Sequence, residues 1–527
     1  MKLISLLTFS FFISTSIIAQ APISAKYATI ITAENLKKHL TIIAGDEMEG
    51  RETGTEGQRK AAAYIEAYFK KIGTKPIPAL KGYQQFYPLY RDSTTTAQLN
   101  LNQIELQYGA DFIIPANNNE NGQFKSNAIV FAGYGIDDST YNDYKNLDVK
   151  GKVVVFILGE PKKEGKYFIS STGRSSEWTA FGISKKLAAA QKNGATGALI
   201  INPTQINFQE KAIENSKKTN QYFPKSDNKN PTLNYALITH AIAGKILNNS
   251  ADSMIKWAKE NKPFNDDERS TVSTALNFNF SKYRHVTQAS NVAAIIEGSD
   301  KKNEYVFLTA HYDHLGKRDG KIYYGADDDG SGTVAVLEMA AAFAKAKASG
   351  KGPRRTIVCM TVSGEEKGLW GSEYYSDHPF FPLEKTSVDL NTDMIGRIDT
   401  ERLTADSLNY VYVVGHDKIS SELPLINEAV NNKFTQLVLD YKYDDPADPN
   451  RIYYRSDHYN FARKGVPVLF FYDGMLKADY HKTTDTVDKI YWNLFEKRAR
   501  MIFLTAWEMA NRNDMLIRDK PLPTGTR

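Results

Sequence analysis

Two histidines and three acidic residues in the C-terminal half of the chain have the side chains and the sequence context of metal ligands. They are His311 in AHYDHLG, Asp328 in GADDDGSG, Glu366 in SGEEKGLWGS, Asp393 in NTDMIGR and His481 in DYHKTTDT. Two imidazoles and three carboxylates can hold a pair of zinc ions when one carboxylate bridges them, and each ion then keeps a position open for water or substrate. The set therefore predicts a hydrolase with two co-catalytic metal ions.

Further polar residues adjoin the candidate ligands. Asp313 lies two residues after His311, so in an extended strand both side chains leave on one face, and the Asp313 carboxylate can accept the His311 ring N–H. Glu365 precedes Glu366, and we expect it to stay unbound as a general base that takes a proton from the metal-bridging water and delivers it to the leaving amine. His314 is interpreted as a residue at the rim of the site or just behind its ligands. Each pattern alone is common in loops and at strand ends.

Three consecutive acidic residues, Asp327 to Asp329, lie in a glycine-flanked turn before an alanine-rich segment. Adjacent carboxylates repel one another unless cations compensate them. The alternative is an acidic turn that caps a helix N-terminus, where aspartate is favoured. The short distance in sequence to His311 favours the metal-ligand interpretation, with Asp328 as the ligand.

The candidate ligands lie where predicted strands end. His311 follows a strand at 305–310, Glu365 and Glu366 follow a strand at 356–362, and Asp393 closes a strand at 388–393. Open α/β sheets place their sites beyond the carboxyl ends of the strands. We therefore expect these distant positions to meet at one edge of a sheet.

Strands and helices alternate from residue 291 onward, which is typical of an α/β domain with a mostly parallel central sheet and helices on both faces. Between about 106 and 279 the pattern changes to apolar strands and a polar stretch at 207–231, predicted to be a loop, and indicates a smaller β-rich inserted module. The other predicted strands are 128–132, 153–158, 197–201, 292–296, 410–414 and 466–472, and the helices are 184–193, 334–348 (amphipathic), 371–377, 423–432 and 490–511.

The N-terminus is typical of a secretory signal peptide: Met1-Lys2, an apolar run at 3–18, and Ala19-Gln20-Ala21. A membrane anchor is the alternative, but the run is shorter than the roughly 20 residues that a span needs. We therefore expect an exported protein, periplasmic or extracellular, with no stable membrane insertion after cleavage. The predicted division is a signal peptide at 1–20, a first catalytic part at 21–105, an insertion at 106–279, the main catalytic part at 280–515 and a loose tail at 516–527.

Composition excludes some classes of function. A chain of 527 residues is too long for a single core, so at least two domains are expected. The net charge of +5 is small, and basic residues alternate with acidic ones, so no nucleic-acid surface is indicated. The single cysteine, Cys359, lies in an apolar strand pattern and is interpreted as a packed, inert thiol rather than part of a disulfide or a nucleophile.

Six motifs between residues 291 and 488 resemble, in the same order, those of the co-catalytic zinc aminopeptidases of peptidase family M28, typified by aminopeptidase Y and the secreted bacterial leucyl aminopeptidases. EGRETGTEGQRKAAAYI also resembles the opening helix of that family, which is related to glutamate carboxypeptidase and the transferrin receptor. The motifs are TAHYDHLG, YGADDDGSGTVAVLEMA, VSGEEKGLWGSEYY, LNTDMIGR, YRSDHYNF and YHKTTDT.

The resemblance implies a role for each candidate residue. His311 and Asp393 would bind one Zn²⁺, Glu366 and His481 the other, and Asp328 would bridge both. Asp313 would orient His311, and Glu365 would be the general base. Within the insertion, FAGYGI, YNDYKNLDVKGKVVVFILGEP and KNGATGALIINP resemble the protease-associated domain, a non-catalytic module that in this family is thought to shape access to the cleft.

The predicted function is an exported exopeptidase with two Zn²⁺ per chain, an aminopeptidase that removes N-terminal residues of peptides by means of a zinc-bridging hydroxide. Three alternatives stay open: a carboxypeptidase or dipeptidase of the glutamate carboxypeptidase type, a glutaminyl-cyclase-like transferase, which generally works with one zinc, and an inactive binding protein on a peptidase scaffold. Cobalt or manganese could occupy such a site. The preferred substrate side chain, the oligomeric state and the role of the insertion are not predicted.

Overall fold

The computed structural model describes residues 22–180, 182–224, 233–247, 251–445 and 447–522. The predicted signal peptide and the last part of the predicted tail lie outside the described residues. The chain divides into two compact units, Met1–Tyr87 with Gln288–Arg527, and Pro88–Thr287. Among the described residues, no helix combines the length and the apolar composition needed to cross a bilayer.

The first unit is built around a sheet whose four central strands are parallel. The pairings that flank these four strands, of Tyr410–Val414 with Val468–Tyr472 and of 292–296 with 357–361, are antiparallel. The edge strand Val438–Asp440 pairs parallel with Tyr410–Val414. Parallel strands buried on both faces account for the continuous apolar runs in the sequence. In order across the sheet the strands are Val438–Asp440, Tyr410–Val414, Val468–Tyr472, Thr386–Thr392, Lys301–His311, Arg355–Val362 and the last residues of Thr271–Ile296.

Helices cover both faces of this sheet, as predicted. Val306 and Leu308 face one hydrophobic core, whereas Tyr305 and Phe307 face another, because successive side chains of a strand alternate. The helices are Ile23–Ala28, Ala33–Ile43, Glu56–Lys71, Gly332–Ala348, Trp370–Asp377, Glu422–Phe434, His458–Ala462 and Trp492–Asn511. Short 3₁₀ segments lie at Asp46–Arg51, Pro78–Leu80, Leu383–Lys385, Lys442–Asp444, Ile452–Tyr454 and Val487–Lys489. Lys317–Arg318 and Lys321–Ile322 form a small hairpin.

Two helices near the N-terminus begin at threonine caps. The side chain of Thr32 accepts the N–H of Asn35 over 3.2 Å, and Thr55 accepts the N–H of Gln58 over 3.5 Å. Such caps satisfy backbone donors that the first helical turn leaves unpaired. Between these helices the chain forms the polar turn that contains Arg51.

The helix Gly332–Ala348 differs from its prediction. The sequence indicates an amphipathic helix, but the structure buries it along most of its length. It contacts the sheet strands Lys301–His311 and Arg355–Val362 and also the helices Ala33–Ile43 and Trp492–Asn511. Alanine side chains let neighbours approach closely, and this explains how one helix packs on several sides. Cys359 is buried in the adjacent strand, and burial raises the pKa of its thiol.

The second unit, Pro88–Thr287, has its own hydrophobic core. The predicted loop at 207–231 is wrong in part, because Glu210–Ser216 is a helix; this segment is too short and too polar to show helical periodicity. The strands, in sheet order, are the first part of Thr271–Ile296, Gly122–Phe131, Val153–Ile157, Gly197–Ile201, Tyr235–Ile238 and Phe112–Ile113. The remaining strands are Gln84–Leu101, Ile104–Glu105, Lys162–Lys163 and Lys166–Tyr167. The helices are Glu177–Ala180, Gly182–Lys192, Glu210–Ser216, His240–Leu247 and Ala251–Lys259.

Candidate metal centre

The five predicted ligands converge beyond the carboxyl ends of the parallel strands. Nε2 of His311 lies 3.3 Å from Oδ1 of Asp328 and 3.5 Å from Oδ1 of Asp393. Nε2 of His481 lies 3.2 Å from Oδ2 of Asp328 and 3.0 Å from Oε2 of Glu366. The two oxygens of Asp328 therefore face two separate groups of ligand atoms, as a bridging carboxylate must.

Strand register brings these residues together. His311 is paired with Val362 in the parallel ladder, and Thr309 is paired with Asn391. The chain leaves all three strands at the same edge, so Glu366 and Asp393 arrive beside His311 a few residues after their strands end. The structure thus brings these side chains together at the edge of the sheet that the strand ends predict.

Several polar atoms in this cluster are buried without a hydrogen-bond partner among the described residues: Nε2 of His311, Oδ2 of Asp328 and Oε1 of Glu366. Burying such atoms unpaired costs free energy, which a bound cation offsets. Imidazole nitrogens and carboxylate oxygens are donors that zinc takes. The residues present therefore fit divalent cations at this position.

Ligand atoms within 4.8 Å of one another form two neighbouring groups. One consists of His311, Glu365 and Asp393, and the other of His314, Asp328 and Glu366. Glu365 lies at the margin of the first group, with Oε2 3.8 Å from Nε2 of His311.

Of the two positions expected for His314, the structure has it behind the ligands and not at the rim. Its side chain is completely buried, and its Nδ1 lies 2.7 Å from Oε1 of Glu366. The backbone of Gly325 packs so closely on this ring that a Cβ there would lie 2.5 Å from Cγ of His314. His314 is therefore covered by the turn that carries Asp328, which the sequence order alone does not reveal.

The ring of His311 is oriented by the backbone of Asp313. Nδ1 donates to the backbone oxygen of Asp313 over 3.1 Å, whereas Oδ1 of Asp313 is 3.7 Å away. Because a carbonyl only accepts, Nδ1 carries the proton and Nε2 presents its lone pair to the cluster. The Asp313 carboxylate accepts instead from Oγ1 of Thr53 over 2.6 Å and from the N–H of Glu365 over 3.2 Å.

Electrostatics at the cluster are those of an acidic pocket. Burial alone would raise the pKa of Asp328, but contacts with His311 and His481 hold that pKa well below its usual range. Burial opposes protonation of His481, yet the adjacent carboxylates of Asp328 and Glu366 raise its pKa to about 10. Burial raises the pKa of Glu365 well above its usual value, and Asp393 and Glu366 add to this increase. The negative charge of the pocket favours cation binding.

The two aspartates that flank Asp328 have other partners. Asp329 is buried and accepts the backbone N–H groups of His311 (3.2 Å), Gly332 (2.8 Å) and Met394 (3.0 Å). One carboxylate thus binds the end of the strand that carries His311, the start of the helix Gly332–Ala348 and the loop after Asp393. The expected repulsion within the triplet is offset in this way for Asp329, while Asp328 faces the cluster.

Similar bonds fix the rest of the triplet. Oδ1 of Asp327 accepts the N–H of Gly396 over 2.8 Å. The carboxylate of Asp485, four residues after His481, accepts the N–H groups of Asp327 and Asp328 at 3.0–3.1 Å. The sequence indicates this role of Asp485 only weakly, since it shows no more than an aspartate in the loop that also carries His481.

Arg51 is a buried support of the site that the sequence reasoning missed. Its guanidinium is fully buried and donates to backbone oxygens of Tyr312 (2.7 Å), Tyr324 (2.7 Å), Gly325 (2.9 Å) and Ile43 (2.8 Å). These bonds join the strand end that carries His311 to the turn before Asp328. Burial lowers the pKa of Arg51, which surrounding aspartates counteract.

Two cavities are lined in part by Glu365. The smaller, about 30 Å³, reaches Asp328 and Asp393. The larger, about 460 Å³, reaches Glu366 and His481. Tyr480 and Arg455 line both. The remaining lining residues of the small cavity are Met394, Ile452, Phe470, Tyr472 and Leu476, and those of the large cavity are Lys367, Gly368, Asn450, Arg451 and Tyr454.

A parallel-sheet α/β fold with clustered histidines and carboxylates at its strand ends is typical of metal-dependent hydrolases, and comparison with known proteins finds a family match. Residues 291–506 match the family model described as peptidase family M28. This match confirms the resemblance drawn from the motifs of the C-terminal half. The assignment of the insertion as a protease-associated domain stays a prediction.

Individual relatives match parts of the chain. A probable leucine aminopeptidase of Arthroderma otae is 28% identical over 238 residues, 44% of this chain and 61% of that protein. A probable zinc metalloprotease of Pyrenophora teres f. teres is 34% identical over 143 residues, 25% of this chain and 27% of that protein. The structure of an aminopeptidase from Aneurinibacillus sp. strain AM-1 has 18% identity and a TM-score of 0.49, and the match covers 95% of this chain and 100% of that one. The chain thus spans about three fifths of the length of the first relative.

Proposed function

We propose that this protein is an aminopeptidase that depends on two zinc ions. The observation that carries the proposal is the position of Asp328, whose two carboxylate oxygens lie against His311 on one side and His481 on the other. The names of its relatives, a leucine aminopeptidase and a zinc metalloprotease, support the same reaction class and metal.

The cluster divides naturally into two ligand sets. His311 and Asp393 would hold one ion, Glu366 and His481 the other, and Asp328 both. His314, against Glu366, orients that carboxylate from behind. A zinc pair bound there supplies Lewis acidity and lowers the pKa of water towards about 7.

Glu365 is placed to move protons. It lines both cavities, and its Oε2 lies 3.8 Å from Nε2 of His311. The bond from its N–H to Asp313 fixes the turn that carries it. Burial raises the pKa of Glu365, so its ionised form can take a proton from the attacking water, hold it on a carboxylate oxygen and give it to the leaving amine.

The cavities favour an aminopeptidase with an apolar preference. The walls of the small cavity include Met394, Ile452 and Phe470, side chains that suit an apolar residue of the substrate. The large, more open cavity would receive the chain beyond the scissile bond. An aminopeptidase requires a free α-amine, which nearby carboxylates such as Glu365 and Asp393 would attract.

A pair of chromogenic substrates tests the proposal. We expect purified, zinc-loaded protein to cleave leucine p-nitroanilide and to leave N-acetyl-leucine p-nitroanilide uncleaved. A chelator should abolish the activity, and added zinc should restore it. Equal cleavage of the acetylated substrate would contradict the aminopeptidase assignment, and activity with a single bound ion would favour the one-zinc alternative.

Export is also a proposal, supported by the signal-peptide pattern at 1–20. The mature protein should begin close after residue 20 and be recovered outside the cytoplasm. N-terminal sequencing of protein from cell fractions measures this directly, and a cytoplasmic protein that retains Met1 would contradict it.

A further inference from the structure

We infer that Arg455 selects substrates that carry a carboxylate on the leaving-group side of the scissile bond. The inference rests on the proposed aminopeptidase function and narrows its substrate class to short or acidic peptides. It starts from the fact that this guanidinium lines both cavities beside Glu365.

Arg455 has a neutral partner in the structure. Its Nη2 donates to the hydroxyl of Tyr480 over 3.0 Å, and the guanidinium lies 5.8 Å from the centre of the Tyr480 ring. The residue is exposed, and it forms no ion pair with a carboxylate among the residues that the structure describes. The Tyr480 ring, stacked on His481 at 3.8 Å, holds the guanidinium close to the ligand cluster.

Among the charged residues of the large cavity, Glu365 interacts electrostatically with Arg455. Lys367 is paired with Glu52 over 2.6 Å, and Glu52 lies outside this cavity. Its acidic residues, Glu365 and Glu366, are assigned to proton transfer and metal binding. Arg455 lines the same cavity, and its positive charge is suited to an anionic group of the substrate.

The carboxylate belongs on the leaving-group side for reasons of charge and polarity. The small cavity has several apolar walls and is also lined by Asp328, Glu365 and Asp393, so a carboxylate there would lose hydration and be repelled. The large cavity has about 460 Å³ and is more open. A planar guanidinium binds a carboxylate through paired hydrogen bonds. Two substrate groups offer this chemistry: the C-terminal carboxylate of a dipeptide and the side chain of an acidic second residue.

Two matched pairs of substrates separate these sources. Leu-Gly and Leu-Gly amide differ in the terminal carboxylate, and Leu-Asp amide and Leu-Asn amide differ in the side chain. For at least one pair we expect kcat/KM to be about tenfold higher for the carboxylate. Arg455→Met should bring that ratio close to one, and Arg455→Lys should retain part of it. Lys477→Met, which removes an exposed cation outside both cavities, should leave the ratio as it is.

Each outcome decides the inference. A preference in the first pair alone identifies the terminal carboxylate, and one in the second pair alone identifies the acidic side chain. Equal cleavage within both pairs by active enzyme, or a preference that survives in Arg455→Met, overturns the inference and leaves the aminopeptidase proposal standing. Failure to release leucine from any of the four substrates in the presence of zinc overturns the aminopeptidase proposal, and the inference with it.

Discussion

Ser456 donates a hydrogen bond to Oδ2 of Asp393 over 2.6 Å, and this leaves Oδ1 of Asp393 turned towards Nε2 of His311. Ser456 in turn accepts from the side-chain amide of Asn391 over 2.9 Å. The ligand carboxylate is thus held by a short buried chain of hydrogen bonds that begins in its own strand. Partners of this kind orient a metal ligand and tune its affinity.

Ser456→Ala is therefore expected to weaken zinc binding at the His311 site by about 10- to 100-fold. Competition with a chromophoric chelator measures the affinity of each site. Ser420→Ala is a matched control, because the Ser420 hydroxyl is buried without a hydrogen-bond partner among the described residues. Unchanged affinity of both zinc sites in Ser456→Ala would show that this bond does not orient the ligand.

Glu365→Gln should abolish turnover while zinc binding persists. The amide keeps the size of the side chain but cannot accept and return a proton, so a loss of kcat of about 10²- to 10⁴-fold is expected. Metal content by mass spectrometry and leucine p-nitroanilide hydrolysis are the two measurements. Glu373→Gln, in the helix that follows, serves as the control. A Glu365→Gln enzyme with the wild-type rate would exclude Glu365 as the base.

Arg51→Met should damage both stability and metal binding. The change leaves backbone oxygens of Tyr312, Tyr324 and Gly325 without their charged donor, at an expected cost of about 3 kcal/mol or more. Urea unfolding gives the stability, and chelator competition on folded protein gives the zinc affinity.

Arg355→Met is the matched control for this change. Arg355 is also fully buried and donates to backbone oxygens, but those of Met509, Arg512 and Asn513. The Arg355→Met protein should lose stability and keep its zinc affinity. If both variants keep wild-type zinc affinity, Arg51 supports the fold alone and not the site.

His458 should make the protein less stable in mild acid. Its ring is fully buried and stacked on Phe470 at 4.7 Å, and burial lowers its pKa from 6.5 to about 3. The unfolded chain therefore binds a proton below about pH 6.5 that the folded chain does not bind, so stability falls as the pH drops. At about pH 5.5 the loss from this group is about 1.4 kcal/mol.

The comparison of wild type with His458→Phe isolates this contribution, since other groups titrate alike in both proteins. The difference in their free energies of unfolding should shift by about 1.4 kcal/mol in favour of the variant between about pH 8 and about pH 5.5. His285→Phe, at an exposed histidine, should show no such shift. A pH-independent difference for His458→Phe would mean that this ring is protonated in the folded state.

The sequence predicted the sheet and the meeting of the ligands because both follow from local patterns. Continuous apolar runs indicate buried parallel strands, and His311 and Asp393 lie directly at strand ends. The ends of parallel strands share an edge, so convergence follows from topology. The role of Asp328 as the shared carboxylate came from the family resemblance, and the positions of its two oxygens agree with it.

The supporting residues could not be predicted because their partners are backbone atoms distant in sequence. Arg51 is bonded to the oxygen of Tyr312, which lies 261 positions away, and Asp329 accepts the N–H of Met394. Neither contact is detectable in the periodicity or the composition of the sequence. The hydrogen bond from the His311 ring to the backbone carbonyl of Asp313 also could not be predicted, because a strand pattern indicates only where side chains point.

The central claim, that five side chains hold two metal ions around Asp328, is tested most directly by anomalous diffraction from crystals of the zinc-loaded protein, measured at the zinc absorption edge. Two peaks are predicted, one among His311, Asp393 and Asp328 and the other among Glu366, His481 and Asp328. A single peak, or none within reach of these residues, would contradict the account.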